Sequence, residues 1–150
     1  MMQKLAYAPR LERFIAYIID SMFLMLPLVF LSNFGTPESA LVVIGIFASD
    51  LVYHTVFTAS EWQATPGQRI MNMHVLRLDG RLLTERDALE RFLAYQMPRL
   101  PMYLSIASFE LRAVVISWLV IAWFAPILLR DDRRGVHDVI CNTAVVNGKR

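Results

Sequence analysis

Two acids stand where a bilayer would make them costly. RFIAYIID carries Arg13 and Asp20 seven residues apart in one apolar run, and ASDLVYH carries Asp50 and His54 one helical turn apart in a second. A carboxylate near the bilayer centre costs about 2.5 kcal/mol or more on insertion scales, so each acid must face protein or water rather than lipid. Seven residues are just under two helical turns, which puts Arg13 and Asp20 on one face, about 10.5 Å apart along the axis. Arg13, near the membrane edge, can snorkel to the interface or reach inward to a carboxylate. With Asp50 at a comparable depth, the expectation is one interior cluster of Arg13, Asp20 and Asp50, with His54 beside it. Two acids in one low-dielectric interior cannot both stay ionised cheaply. That is the physics of a proton or monovalent-cation site. The alternative is a buried polar cluster that only fixes helix packing.

The elements that must hold these residues are membrane helices. The chain is 150 residues long, 56% hydrophobic and only 19% charged, with its charges bunched. This fits a single membrane domain over residues 1–150. A net charge of +2 is too small to suggest nucleic acid. The spacing predicts transmembrane helices over 11–31 and 40–58, a solvent-facing segment over 59–91, and a further span over 111–129, before a tail over 130–150. Residues 92–109 are apolar but hold Pro98, Arg99 and Pro101. They read as an irregular third span or an interfacial helix. Asp20 inside the first run, with no small-residue cleavage site after it, argues for a retained helix rather than a signal peptide.

Basic residues cluster before the first run, in 59–91 and after Leu129. Four segments put all three clusters on the cytoplasmic side, as the positive-inside rule prefers; three would not. The expected class is therefore an all-α polytopic membrane protein with four transmembrane segments, the third irregular. Asp79-Gly80 between alternating runs predicts a small cytoplasmic β-hairpin, with strands near 74–78 and 81–83 and Thr143–Val146 as a third strand. Thr84, three residues before Asp87, predicts a helix N-cap.

Three segments together resemble the RDD family of small bacterial membrane proteins. The family is named for an Arg at the start of its first helix, an Asp within it and an Asp in the second. Arg13, Asp20 and Asp50 fit these positions. ATPGQRIMNMHVLRLDGR, with Thr65, Pro66, Gly67 and Arg69, looks like the family's Gln-Thr-Pro-Gly-Lys-Arg stretch. RRGVHDVICNTAVV, with Gly135, His137 and Asp138, looks like its Arg-Arg-Gly-Leu-His-Asp ending. Gln68 replaces a usual Lys and Val139 a usual basic residue. Asn72 and Asn142 stand where the family often has Gly, and Asn tolerates a left-handed backbone. The resemblance implies a bacterial inner (plasma) membrane location, and positive-inside counting puts both termini in the cytoplasm. It also pairs the two cytoplasmic motifs, so His137 and Asp138 are expected to cap or tie the tail to the Thr65-Pro66-Gly67 turn. Some members of the family have been linked to sodium–proton antiport.

Other chemistries find little support. His54, His74 and His137 lack metal-ligand spacing, so neither a metal nor a cofactor is expected. TPGQR has the wrong glycine spacing for a phosphate loop. No nucleophile–base–orienter set exists, so no enzyme is expected. Cys141, the lone cysteine, reads as a small packed residue. Expected partners are membrane lipids, through Arg130, Arg133 and Arg134 on anionic headgroups, and further copies of the chain, because four short helices enclose little room. Two function classes remain: ion or small-solute transport, and a structural or assembly role.

Overall fold

A computed structural model gives the fold of residues 6–36, 39–103 and 108–148. Three helices are long and apolar enough to cross a bilayer: α1 (Arg10–Leu31), α2 (Ala40–Ala59) and α5 (Phe109–Leu129). Ser39 and Ser108 cap the starts of α2 and α5, each hydroxyl accepting from the backbone N–H three residues on, at 3.4 Å. Their outer faces stay bare of protein. Met22, Leu26, Trp118 and Leu128 are all well exposed, which only a lipid environment makes cheap.

The four-segment expectation is met only in part. Among the described residues the stretch after 92 is not a third long helix. α4 (Glu85–Gln96) ends at Gln96 and runs into a 3₁₀ helix, Met97–Tyr103. Pro98 and Pro101 withhold two backbone donors there, which the α-helical ladder does not tolerate. α4 begins as expected: Thr84 Oγ1 accepts from Asp87 N at 3.2 Å, and Asp87 Oδ2 accepts from Thr84 N at 2.9 Å.

The expected hairpin is also half right. Gly80 turns the chain with φ of +82°, where an L side chain is strained, and its N–H bonds the Arg77 carbonyl at 2.9 Å. The Arg81 carbonyl still accepts from Arg77 N at 3.2 Å, but residues 81–83 form no strand, and Leu83 N donates to Gln63 Oε1 at 2.5 Å. The partner of β1 (Met73–Arg77) is β2 (Thr143–Asn147), antiparallel, with Val75 opposite Val145. The chain start adds a third edge: Tyr7 bridges Val146, and Ala8 N bonds Val145 O at 3.0 Å. Ala8, Ala16, Met73, Val75, Leu83 and Val145 form the buried core beneath. The start of α1 and both strands are thereby fastened at one end of the bundle.

Both strands are entered in the same way. α3 (Pro66–Ile70), Met71 and Asn72 precede β1; α6 (Val136–Ile140), Cys141 and Asn142 precede β2. Asn72 and Asn142 have φ of 54° and 52°, the left-handed region that Asn tolerates. Five-residue helix, capping residue, left-handed Asn and five-residue strand thus occur twice. The antiparallel pairing relates the two copies by an approximate twofold. Cys141 is half-buried at this turn, and burial pushes its thiol up, away from the reactive thiolate.

Candidate functional site

The family-type polar residues do not converge in one cluster. They form three separate locks, each joining a long helix to a different element. Asp20, on the buried face of α1, accepts three hydrogen bonds: from Tyr53 Oη of α2 at 2.7 Å, Thr65 Oγ1 at 2.6 Å and Gly67 N at 2.7 Å. Pro66 pre-sets the first turn of α3 and leaves the Gly67 N–H as a free donor. Gly67 is required by contact. A Cβ there would run into the Ala16 carbonyl oxygen and lie 2.7 Å from Asp20 Oδ1. Among the described residues, no basic side chain lies within 4 Å of the Asp20 carboxylate.

Arg13 reaches inward, but not to Asp20. Its Nη2 sits 2.7 Å from Asp138 Oδ2, and its Nη1 donates to the Arg133 carbonyl. Asp138 is fully buried and is the hub of the second lock. Arg91 Nη2 of α4 lies 2.7 Å from Oδ1, Gly135 N donates to Oδ2 at 3.2 Å, and Thr143 Oγ1 donates to Oδ1 at 3.4 Å. Burial opposes its ionisation, but His137, Arg91 and Arg13 more than offset this and hold the carboxyl well below its usual range. His137, itself buried, is pushed down to about 3 by desolvation. It is neutral at ordinary pH, so the two guanidiniums are what stabilise the carboxylate there.

This corrects the expected tie of His137 and Asp138 to the Thr65-Pro66-Gly67 turn. α3 instead docks on α1, whereas α6 packs on α4 and α5 and is joined to α1 through the Arg13–Asp138 pair. Asp20 takes the start of α3, and Arg13, two turns earlier, takes Asp138 of α6.

The third lock lies on α2. Asp50 accepts from Gln96 Nε2 at 3.0 Å and stands 3.9 Å from Arg99 Nη1. Arg99 also donates to Gln96 Oε1 at 2.9 Å and stacks over Tyr95, 4.9 Å from the ring centroid. His54, one turn from Asp50, packs against the rings of Tyr53, Phe92 and Tyr95. Arg69 stands 6.0 Å from the Trp62 ring and joins none of the three locks.

Arg91, Gln96 and Arg99 were not singled out from sequence. Arg91 has a sequence signal: Ala88, Arg91, Phe92 and Tyr95 fall at helical spacing, so the arginine lies on the apolar face of α4. Phe92, Gln96 and Arg99 continue that face.

The locks frame a cavity of about 480 Å³ between α1, α4 and α5. Asp20, Arg13, His54 and His137 line it, along with Arg91 and Arg99; Asp50 does not. Its volume falls in the ordinary range of small-molecule sites, and its wall on α5 is apolar.

The sequence pattern of the RDD family matches residues 7–142, nearly the whole chain. The chain belongs to the RDD family. Its three long apolar helices make it a membrane protein. An uncharacterized protein of Bacillus subtilis (strain 168), YxaI, is 24% identical over 159 residues, covering 89% of this chain and 93% of its own. No solved structure matches. In this RDD protein, Arg13, Asp20 and Asp50 each have protein partners, each in its own lock.

Proposed function

We propose that this RDD protein is a polytopic transporter of the cell membrane, moving protons or monovalent cations through the cavity that its locks hold open. One observation carries the reading. Asp20 is a titratable acid, held by three neutral donors and, among the described residues, by no cation, and it borders the cavity. Packing alone would need the locks and not the space. A carboxylate held by neutral donors can take up and release a proton or a monovalent cation without breaking a salt bridge, which Asp138 cannot do.

Four crossings fit the connectivity. Residues 6–8 and β2 pair at one end of the bundle, which favours an even number of passes between them. α1, α2 and α5 supply three, and α4 with its 3₁₀ extension supplies the fourth. Arg10, Arg69, Arg77, Arg130, Arg133 and Arg134 gather near the sheet end, while 32–39 has no basic residue. The positive-inside rule then assigns the sheet to the cytoplasm.

A second reading, a structural or assembly role, draws on the same three locks, since every named polar residue has a protein partner. Proton movement in proteoliposomes under an imposed sodium or potassium gradient separates the two. The transport reading expects a flux that Asp20→Asn removes. Absence of flux from folded wild type leaves the structural reading.

A further inference from the structure

The cavity opens sideways toward the lipid. At the sheet end Arg10 ties α1 to α5, donating to the Ile127 and Arg130 carbonyls at 3.1 and 3.3 Å. Farther in, the two helices hardly pack on each other. Tyr17 and Leu24 line one side of the gap and Val120, Ile121 and Ala125 the other; Tyr17 and Ile121 are themselves exposed. From Arg10 to Leu24 is fourteen residues of helix, about 21 Å, so the cleft runs from the edge of the bundle well into its apolar layer.

The charge within is unbalanced. Arg10, Arg13, Arg91 and Arg99 all line the cavity. Asp138 is shared between Arg13 and Arg91, and Asp50 stands at the outer limit of an ion pair with Arg99. Arg10 has no carboxylate within 4 Å among the described residues. Four guanidiniums therefore face three carboxylates even with Asp20 ionised. His137 borders the same space, 2% exposed, and its Nδ1 has no hydrogen-bond partner among the described residues. An unsatisfied buried polar atom is uncommon and calls for a partner.

We propose that this cleft binds an anionic lipid of the surrounding membrane, its phosphate among the lining arginines and one acyl chain between α1 and α5. Arg10, Arg13 and Arg91 sit toward the sheet end, where headgroups lie, with Arg99 deeper beside Asp50, and the apolar α5 wall continues inward, where chains lie. Basic pockets between membrane helices hold anionic headgroups in this way. A zwitterionic headgroup of the same chain length would bring a quaternary ammonium into a site of net positive charge. The inference rests on the transport reading for the cavity alone, because a lipid can bind whether or not protons move.

The test is native mass spectrometry of the detergent-solubilised full chain with phosphatidylglycerol or phosphatidylcholine of identical acyl chains. Phosphatidylglycerol should bind at least about tenfold tighter, a difference of ~1.4 kcal/mol. Arg99→Gln should erode that preference several-fold, and Arg10→Gln, at an exposed position, serves if Arg99→Gln unfolds the protein. Ile121→Trp, which fills the mouth of the cleft and leaves every surface arginine in place, should remove the tight adduct. Equal affinity for the two lipids would overturn the proposal. So would a phosphatidylglycerol preference that survives Ile121→Trp, since surface arginines would then explain it. Displacement by millimolar inorganic phosphate would assign the site to a soluble anion and overturn the lipid assignment. None of these outcomes depends on flux, so the lipid site and the transport reading fail separately.

Discussion

Arg13 has two acids within plausible reach, and the structure pairs it with the distant one. Asp138 lies 125 positions away and has no exposed side-chain surface; Arg13 and Arg91 are each only 11% exposed. Asp138→Leu leaves two guanidiniums buried side by side with nothing to balance them. Breaking a buried pair by removing one partner typically costs about 3–5 kcal/mol. For a chain of this size each kcal/mol moves the melting temperature by about 2–4 °C, so the variant should melt roughly 6–20 °C lower. Arg13→Leu should do less damage, because Arg91 still balances the carboxylate. The double variant should recover part of the loss, with a coupling on the order of 1–3 kcal/mol between Arg13 and Asp138. Arg13→Leu and Asp20→Leu, by contrast, should simply add, since Asp20 is bonded elsewhere. The assay is thermal unfolding in detergent for the two cycles side by side. Additivity for Arg13 with Asp138, together with strong coupling for Arg13 with Asp20, would refute the lock assignment.

Gly67→Ala should separate α3 from α1, because the new methyl has no room against the Ala16 carbonyl; we expect a loss of about 1–3 kcal/mol, read by thermal unfolding. Asn142→Ala should cost about 1–2 kcal/mol at its left-handed backbone, whereas Asn142→Gly should be near neutral, and the same pair at Asn72 should repeat the pattern. Acid should weaken the fold through His137. Its folded pKa of about 3 lies below the ordinary 6.5, so between those values the unfolded chain takes up a proton that the folded one refuses. Stability from this group is present above about pH 6.5 and is lost as pH falls, by roughly 1 kcal/mol at about pH 5.5. His137→Gln should flatten the stability profile over pH 7 to 5.5 by that amount.

What could be read from the chain was local. The apolar runs, the Thr84 cap with Asp87 and the turn at Gly80 each depend on neighbours a few positions away, and the left-handed Asn residues on the family resemblance. The pairing of Arg13 did not yield to the same reasoning. Helical spacing puts Arg13 and Asp20 on one face, but not which other element covers each turn of it. Asp20 needed donors and Arg13 an acceptor; treating each as the partner of the other was the economical solution and the wrong one. β2 replaced the second arm of the hairpin for a related reason. Strand pairing across 70 residues leaves no spacing signal, while Asp79-Gly80 gives a strong local one. The repeat was present in RIMNMHVLR and VICNTAVVN, each with Asn after a short helix and before a strand-forming run. Read together, they would have paired the two strands directly. Between 92 and 109 hydropathy and proline content conflicted, and the prolines decided the backbone up to Tyr103.

In the proposed transport function, the locks hold open a working cavity with Asp20 as its titrating acid. The direct measurement is the rate of pH change inside proteoliposomes holding a trapped pH-sensitive dye after a sodium or potassium gradient is imposed. Wild type and Asp20→Asn are compared, each first checked for an intact melting transition. Tyr53→Phe, which removes one of the three donors and keeps the acid, is measured beside them. The account predicts cation-driven proton movement in wild type, an altered pH dependence in Tyr53→Phe, and no movement above empty vesicles in a folded Asp20→Asn. Equal rates in wild type and Asp20→Asn, or no flux from folded wild type at any pH, would contradict it.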